Sequence, residues 1–341
     1  MADGKQLPCK GLPPHGKPWG FRPRNEEGFI MTIIENIHIE TFRGIKELKL
    51  EDLAQINILT GKNNSGKTSV LEMLKNFRNF MDWDHQNMLA GNKEILYTNT
   101  YLEEFQELFD IDSEEKIITY EVGLKSKNLN VSIKAADENT WAHAEIRNLL
   151  KTRIPIVSDR DRFLEFDRNL KKIFEYPDLY KETVEVLKEY DDDIIGFEYK
   201  QEEQPGPNYG HYTWTITKSS GKHFPLNAYG DGMKRALFLM AMTLKAKNGI
   251  LLLDNFETSI HPAAMDKTFQ WILRACKKLN IQVFLTSHNK EAIDKILKCD
   301  PGITKDIAVY TLSKINGKTA ARKVSGEKAI VMQNEMGLEL R

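Results

Sequence analysis

The sequence predicts an α/β fold, in which helices cover a parallel sheet and a mostly helical α+β lobe is inserted into the main domain. Strand and helix patterns alternate from Gly230 to about Leu297, and this rhythm is typical of βαβ units. Earlier in the chain, an apolar strand at 56–60 leads through a glycine-rich loop into an amphipathic helix. The order of strand and helix thus occurs on both sides of a middle region, which we interpret as the insertion.

The chain divides into three predicted regions. Residues 1–30 are rich in Pro and Gly and show no helical or strand period, so they are expected to form a disordered leader or an added remnant. The alternative is a native extension that wraps around the domain. Residues 31–100 and 216–341 form the predicted main domain, which opens with a strand at 32–40, and residues 101–215 form the lobe.

Local sequence patterns predict the secondary structure of most of the middle region. Residues 81–115 have helical spacing in part, and residues 116–134 have the pattern of paired strands. Residues 138–200 are expected to be mostly helical around a short strand at 154–157. A loop rich in Pro and Gly follows at 201–210.

Composition excludes several classes of protein. The formal net charge is −1, so contact with nucleic acid would need a local basic patch. No apolar run reaches the roughly 18–20 residues that a membrane helix needs, so no membrane span is expected. The 3 cysteines are far apart and form no CxxC pair, which indicates neither a zinc site nor a disulfide framework. This usage is typical of a reducing cytoplasm, where we expect the protein to be located.

The segment at 61–68 has the full GxxxxGK[ST] pattern between an apolar strand and a helix. Its glycines let backbone N–H groups face phosphates, and the helix N-terminus adds positive potential. Lys67 is expected to reach the β- and γ-phosphates of ATP, and the Thr68 hydroxyl is expected to bind Mg²⁺. The predicted nucleotide-binding residues of this segment are Gly61, Asn63, Asn64, Ser65, Gly66, Lys67, Thr68 and Ser69.

Two later strands end in residues that suit the same site. The apolar run 250–253 delivers Asp254 at its carboxyl end, where it would hold Mg²⁺. The next strand, at 283–287, ends at His288. Because the carboxyl ends of parallel strands line one crevice, Lys67, Asp254 and His288 are expected to converge there.

A Gly-x-Gly segment, Gly230 to Gly232, precedes the apolar helical run that starts at Ala236. A helix N-terminus of this kind can bind an anion. Taken alone, the segment is also compatible with an ordinary turn at the start of a helix.

The order of these elements resembles the ABC-type ATPase heads of SMC proteins, RecF and the OLD-like ATPases, in particular the compact AAA-type members without a coiled coil. The opening strand with Arg43 resembles the FRG motif of that group, and the segment at 229–233 resembles its signature loop. The segment at 259–262 resembles its D-loop, and His288 resembles its switch histidine. The resemblance implies ATP and Mg²⁺ as cofactors and a role for Arg43, Gly230 and Gly232 in nucleotide binding.

Two positions depart from the family pattern. Asn255 follows Asp254 where the family has the glutamate that polarises the attacking water, and an amide cannot accept a proton. Glu257 could take that role only if the loop allows it, so the candidate catalytic residues are Asp254, Asn255, His288 and Glu257. Gly230 replaces the signature serine and removes one hydroxyl donor.

The resemblance implies a homo-oligomer in which two heads sandwich two ATP molecules, and a nucleotide-gated switch for a separate effector such as a nuclease in bacterial antiphage defence. A switch of this kind is similar to the ATPase subunits of Septu- and retron-associated systems. The alternatives are a RecF-like DNA-repair ATPase and a non-catalytic ATP-binding scaffold. Two groups of bases could contact nucleic acid, although ordinary solvated charge is the favoured interpretation of both: Lys151, Arg153, Arg160 and Arg162 in the lobe, and Lys314, Lys318, Arg322 and Lys323 near the end.

Overall fold

Strands and helices alternate along the chain of the computed structural model, as the sequence pattern predicts. The structure describes residues 33–76, 96–101, 106–125, 127–135, 141–147, 154–159, 166–201, 212–258 and 260–335. The expectations for residues 1–30, for Ser259 in the D-loop and for the lobe bases Lys151, Arg153, Arg160 and Arg162 lie outside these residues.

The described strands are, in chain order, β1 Ile34–Phe42, β2 Ile45–Leu50, β3 Ile56–Gly61, β4 Leu96–Tyr101, β5 Ile117–Leu124, β6 Lys127–Ala135, β7 Trp141–Arg147, β8 Ile156–Ser158, β9 Ile194–Gln201, β10 Tyr212–Lys218, β11 His223–Pro225, β12 Ile250–Leu253, β13 Gln282–Thr286, β14 Ile307–Ile315 and β15 Lys318–Ser325. The described helices are α1 at 67–76, α2 Phe166–Leu170, α3 Pro177–Leu187, α4 Asp231–Lys245, α5 Pro262–Lys278, α6 Lys290–Lys298 and α7 Gly326–Glu335.

The central sheet has the strand order β15-β14-β3-β13-β12-β8. All pairs from β14 to β8 are parallel, and β15 alone among these strands is antiparallel to its neighbour. Strands β3, β12 and β13 are buried along their whole length, which explains their nearly continuous apolar sequences. The carboxyl ends of these three strands therefore lie side by side at one edge.

A second, antiparallel sheet has the order β2-β1-β5-β6-β7-β4 and packs with α1 on one face of the central sheet. Helices α3 to α7 and the small sheet β11-β10-β9 contribute to the core on the other face. Alternation along β3 and β13 divides the two cores, since Ile58 and Leu285 belong to one, and Leu59 and Phe284 to the other.

Parts of the middle region differ from the prediction. Leu96–Tyr101 is a strand rather than part of a helix, and Trp141–Arg147, expected within a helical stretch, pairs with it antiparallel. Ile194–Gln201 is likewise a strand, paired with β10. These segments obtain their backbone hydrogen bonds from neighbouring strands, and such tertiary pairing overrides weak local propensity.

The predicted lobe boundaries at 101–215 stay a prediction. Strands of that segment take part in both large sheets, because β5 pairs with β1 and β8 pairs with β12.

Within the described residues, no helix is both long enough and apolar enough to cross a membrane.

Candidate nucleotide-binding site

The loop between β3 and α1 is shaped by residues with left-handed backbone. Gly61 has φ +136° and Gly66 has φ +102°, values that side-chain-bearing residues rarely adopt. A Cβ atom on Gly61 would lie 2.3 Å from the Leu312 carbonyl oxygen. Asn64, with φ 61°, is a residue type that tolerates this conformation. The sequence of the loop therefore fixes a tight curve from the strand into the helix.

This loop borders a cavity of about 490 Å³ at the carboxyl edge of the central sheet. Its lining residues are Gly44, Asn63, Asn64, Ser65, Gly66, Lys67, Thr68, Ser69, Asn255, His288 and Lys314. The structure thus brings the phosphate-binding loop together with the ends of the two later strands. Among the described residues that line this cavity, none carries a carboxylate.

Lys67 is held at the centre of the loop. Its Nζ donates hydrogen bonds to the carbonyl oxygens of Gly61 and Lys62, both at 2.9 Å. Burial lowers the pKa of Lys67, and the nearby Asp254 carboxylate opposes that shift. A phosphate group would offer this ammonium an anionic partner in place of neutral carbonyls, so the loop suits an anion at this position.

Thr68 and Asp254 form the candidate metal site. The Thr68 hydroxyl lies 3.1 Å and 3.3 Å from the two carboxylate oxygens of Asp254, which is itself buried. Thr286 on the neighbouring strand β13 also donates a hydrogen bond to Asp254. A hydroxyl and a carboxylate are oxygen ligands of the kind that Mg²⁺ takes beside substrate phosphates, so the residues fit this ion.

Asn255 and His288 occupy the far wall of the cavity. The backbone N–H of Asn255 donates to the Thr286 hydroxyl at 2.8 Å, and its φ of 46° is a left-handed conformation that asparagine tolerates. Nδ1 of His288 lies 3.3 Å from Oδ1 of Asn255. An amide oxygen only accepts, so this contact is a hydrogen bond when Nδ1 carries the proton.

Glu257, the alternative candidate base, does not line the cavity. Its side chain is buried, with 7% exposure, and its Oε1 accepts a hydrogen bond of 2.8 Å from the Ser287 hydroxyl. A general base must reach the proton that it accepts, directly or through one water. The hydrogen bond from Ser287 instead suits a structural role for Glu257, which stabilises the chain just after β13.

The other predicted nucleotide-binding residues lie beside or away from the cavity. Arg43 forms an ion pair with Glu72 of α1, while its neighbour Gly44 lines the cavity. Gly230 and Gly232 lie at the start of α4 and do not line it. A Cβ atom on Gly230 would meet no atom within 4 Å, so the loop is open on that side.

Sequence reasoning missed two residues at this site. Asp159, just after β8, accepts a hydrogen bond from the backbone N–H of Asp254 at 3.2 Å and pairs with Arg235 of α4 at 2.8 Å. Lys314 was interpreted as surface charge, yet it lines the cavity. The sequence around Asp159 and Lys314 contains no motif. Only the strand order and register show that these two residues lie near the site.

The buried parallel sheet, the phosphate-binding loop and the acid-ended strand define a P-loop nucleotide-binding protein. Its fold is that of an ABC-type ATPase head: a solved SMC head bound to the C-winged helix domain of ScpA covers 87% of this chain and 100% of its own, with a TM-score of 0.54 and 13% identity. The chain belongs to the family described as AAA domain, putative AbiEii toxin, Type IV TA system, which matches residues 56–294. The predicted ABC-type ATPase class is thereby confirmed.

Three curated relatives extend the comparison. An ATP/GTP phosphatase of Helicobacter pylori is 24% identical over 330 residues, which cover 77% of this chain and 87% of the relative. An uncharacterized protein of Methanocaldococcus jannaschii is 34% identical over 126 residues, or 32% of this chain. The chain spans 57% of that relative's length and 60% of the length of a second protein from the same organism.

Proposed function

We propose that this chain binds ATP with Mg²⁺ and that two copies close around two ATP molecules as a nucleotide-gated switch or scaffold for a separate effector protein. Lys67 supplies the cation for the phosphates, and Thr68 with Asp254 supplies the oxygen ligands for the metal. The relative from H. pylori is called an ATP/GTP phosphatase, which supports a nucleoside triphosphate as the ligand.

The observation that carries the switch proposal is the wall formed by Asn255 and His288. The amide of Asn255 can orient a water molecule but cannot take its proton, and Glu257 is buried away from the cavity. Loss of general-base help typically costs about 10²–10⁴ in rate. Such a site binds ATP well and hydrolyses it slowly, so the ATP-bound state is long-lived.

The signature loop supports closure between two copies. Gly230 is exposed and Gly232 is half-buried. Both lie at the N-terminus of α4, and neither lines the cavity of its own chain. A helix N-terminus favours an anion, so this loop is suited to the phosphates bound by a partner copy. Each ATP would then be held by the phosphate-binding loop of one copy and the signature loop of the other.

The proposed biological setting is bacterial antiphage defence, which the sequence resemblance implies. The family description names a putative toxin and a TA system, which supports a role beside a separate effector. In such a setting the ATP-held dimer would restrain or present an effector, for example a nuclease, in the cytoplasm. A DNA-repair ATPase similar to RecF is the competing function, and it requires turnover that DNA stimulates.

The proposal is tested by light scattering of the full chain with and without ATP and Mg²⁺. The parent should double in mass on addition of ATP, and Lys67→Ala should remain a monomer because it lacks the ammonium that holds the phosphates. A parent whose mass does not depend on ATP would contradict the proposal. Duplex DNA is added in a parallel phosphate-release assay, and strong stimulation would favour the DNA-repair function.

A further inference from the structure

We propose that Lys314 is a nucleotide-binding residue that contacts the α-phosphate side of the bound nucleotide. The assignment rests on the proposed function, since it concerns the same cavity. It adds a cation from the far end of the sequence to a site that is lined mainly by the phosphate-binding loop and by residues at the ends of β12 and β13.

Strand register places Lys314 over the phosphate-binding loop. Strand β14 runs parallel to β3, and Leu312 pairs with Gly61, the first residue of the loop. Lys314 lies two residues further on, beyond the carboxyl end of β3, and pairs with Thr319 of β15. A Cβ atom on Gly66 would lie 4.0 Å from Thr319, so this hairpin rests on the loop itself.

The ammonium group of Lys314 lies beside the turn between β1 and β2. Nζ of Lys314 lies 3.4 Å from the place that a Cβ atom on Gly44 would occupy, and both residues line the cavity. The hairpin of β14 and β15 and the turn at Gly44 therefore form one wall together. Asn255 and His288 form the opposite wall.

The two walls correspond to the two ends of a polyphosphate chain. In the central sheet, β14 lies on one side of β3, whereas β13 and β12 lie on the other. Thr68 and Asp254 mark the metal and the γ-phosphate on the β13 side. The phosphate nearest the ribose must then lie toward β14, where Lys314 is the available cation.

Ion pairing distinguishes Lys314 from Lys318 and Lys323, two other bases of its hairpin. Lys318 pairs with Glu47, and Lys323 pairs with Asp52. No carboxylate pairs with Lys314 within the part of the chain that the structure describes. Of the described residues that line the cavity, only Lys67 and Lys314 are lysine or arginine. An unpaired ammonium facing a phosphate-binding cavity is suited to an anionic ligand.

The test is calorimetric titration of the full chain with ATP and with ADP, for the parent, Lys314→Ala and Lys314→Arg. Lys314→Ala should weaken both nucleotides by the same factor, about tenfold for one lost charge-assisted contact. The factor is shared because the α-phosphate is present in both ligands. Lys314→Arg should retain most of the affinity, and Lys318→Ala, a control on the same hairpin, should bind as the parent does.

Unchanged affinity of Lys314→Ala for both nucleotides would overturn the assignment. A loss confined to ATP would also overturn it, because it would place the ammonium at the γ-phosphate. A parent that binds neither nucleotide would refute the proposed function itself, and with it the role of Lys314.

Discussion

Asp159 joins two functional segments through a buried carboxylate. Its side chain is 4% exposed; one oxygen accepts from the backbone N–H of Asp254, and the other pairs with Arg235 of α4. Burial raises the pKa of Asp159, and the hydrogen bond and charge of Arg235 oppose that rise. The proposed metal-binding end of β12 therefore depends on an ion pair with the helix that carries the proposed signature loop.

Removal of Arg235 should leave a buried carboxylate without its cation. Arg235→Ala is expected to lower the free energy of unfolding by about 3–5 kcal/mol at neutral pH. Lys234→Ala is the matched control on the same helix, since Lys234 pairs with a largely exposed Asp231, and it should change stability by less than about 0.5 kcal/mol. Urea unfolding of the two variants and the parent measures both values.

The pH dependence follows from the raised pKa of Asp159. At pH values between the unfolded and folded pKa of Asp159, the folded chain binds more protons than the unfolded chain. The contribution of Asp159 to stability is therefore complete below its unfolded pKa, and it is lost as pH rises through its folded pKa. Arg235→Ala should raise the folded pKa further. The difference between variant and parent should therefore shrink as pH falls toward the ordinary carboxyl range. A pH-independent difference would contradict the role of this ion pair.

The predicted site residues that the structure brings together are those that local sequence motifs mark. Lys67 and Thr68 belong to a motif, and Asp254 and His288 end apolar strands whose parallel pairing brings them together. Asp159 and Lys314 could not be found in this way, because their place depends on which strands neighbour β12 and β3. Adjacency of that kind is decided by the packing of the whole sheet.

Helix α4 links the signature loop to the core. Its interior is buried from Ala236 to Leu244, while its first turn, with Gly230 and Gly232, remains open. A rigid, buried helix with an accessible N-terminus can present backbone N–H groups to a second chain without rearrangement of the core.

Gly232→Asp should separate nucleotide binding from association. The added carboxylate repels the partner's phosphates and blocks the close approach of the backbone. ATP affinity of the monomer should stay nearly unchanged in calorimetry, and the ATP-dependent increase in mass should vanish in light scattering. Lys247→Ala is the control, because Lys247 is exposed and lies just beyond the other end of α4, and this variant should associate as the parent does.

A Gly232→Asp variant that still associates with ATP would mean that this loop does not contact the partner's nucleotide. A variant that loses ATP affinity as a monomer would place the loop at its own chain's site instead.

At the scale of elements, sequence patterns predicted the strands that alternate with helices but failed where strands pair over long distances. Helical spacing in part of 81–115 gave no sign that Leu96–Tyr101 would pair with β7. The buried strand β12 was recognised because its apolar run is flanked by helices on both sides. Antiparallel strands at a sheet edge have weaker patterns, since their identity depends on partners distant in sequence.

At the scale of the whole chain, the central sheet separates two apolar cores, and the candidate nucleotide-binding cavity lies at its carboxyl edge. One core joins α1 and the antiparallel sheet, and the other joins α4, α5 and α6. The phosphate-binding loop belongs to the first side, and the signature helix belongs to the second. An ATP molecule shared between two copies would therefore connect elements from both cores.

The most direct test of this account is steady-state phosphate release at saturating ATP by the parent and by Asn255→Glu. Lys67→Ala measures the background release that does not depend on this site. A typical enzyme turns over at about 10 per second, and loss of base catalysis should reduce the parent well below about one per second. Asn255→Glu should raise the rate by about 100-fold, because it places a proton acceptor beside His288. Brisk hydrolysis by the parent, with no gain from Asn255→Glu, would contradict the account of a slow, ATP-held switch.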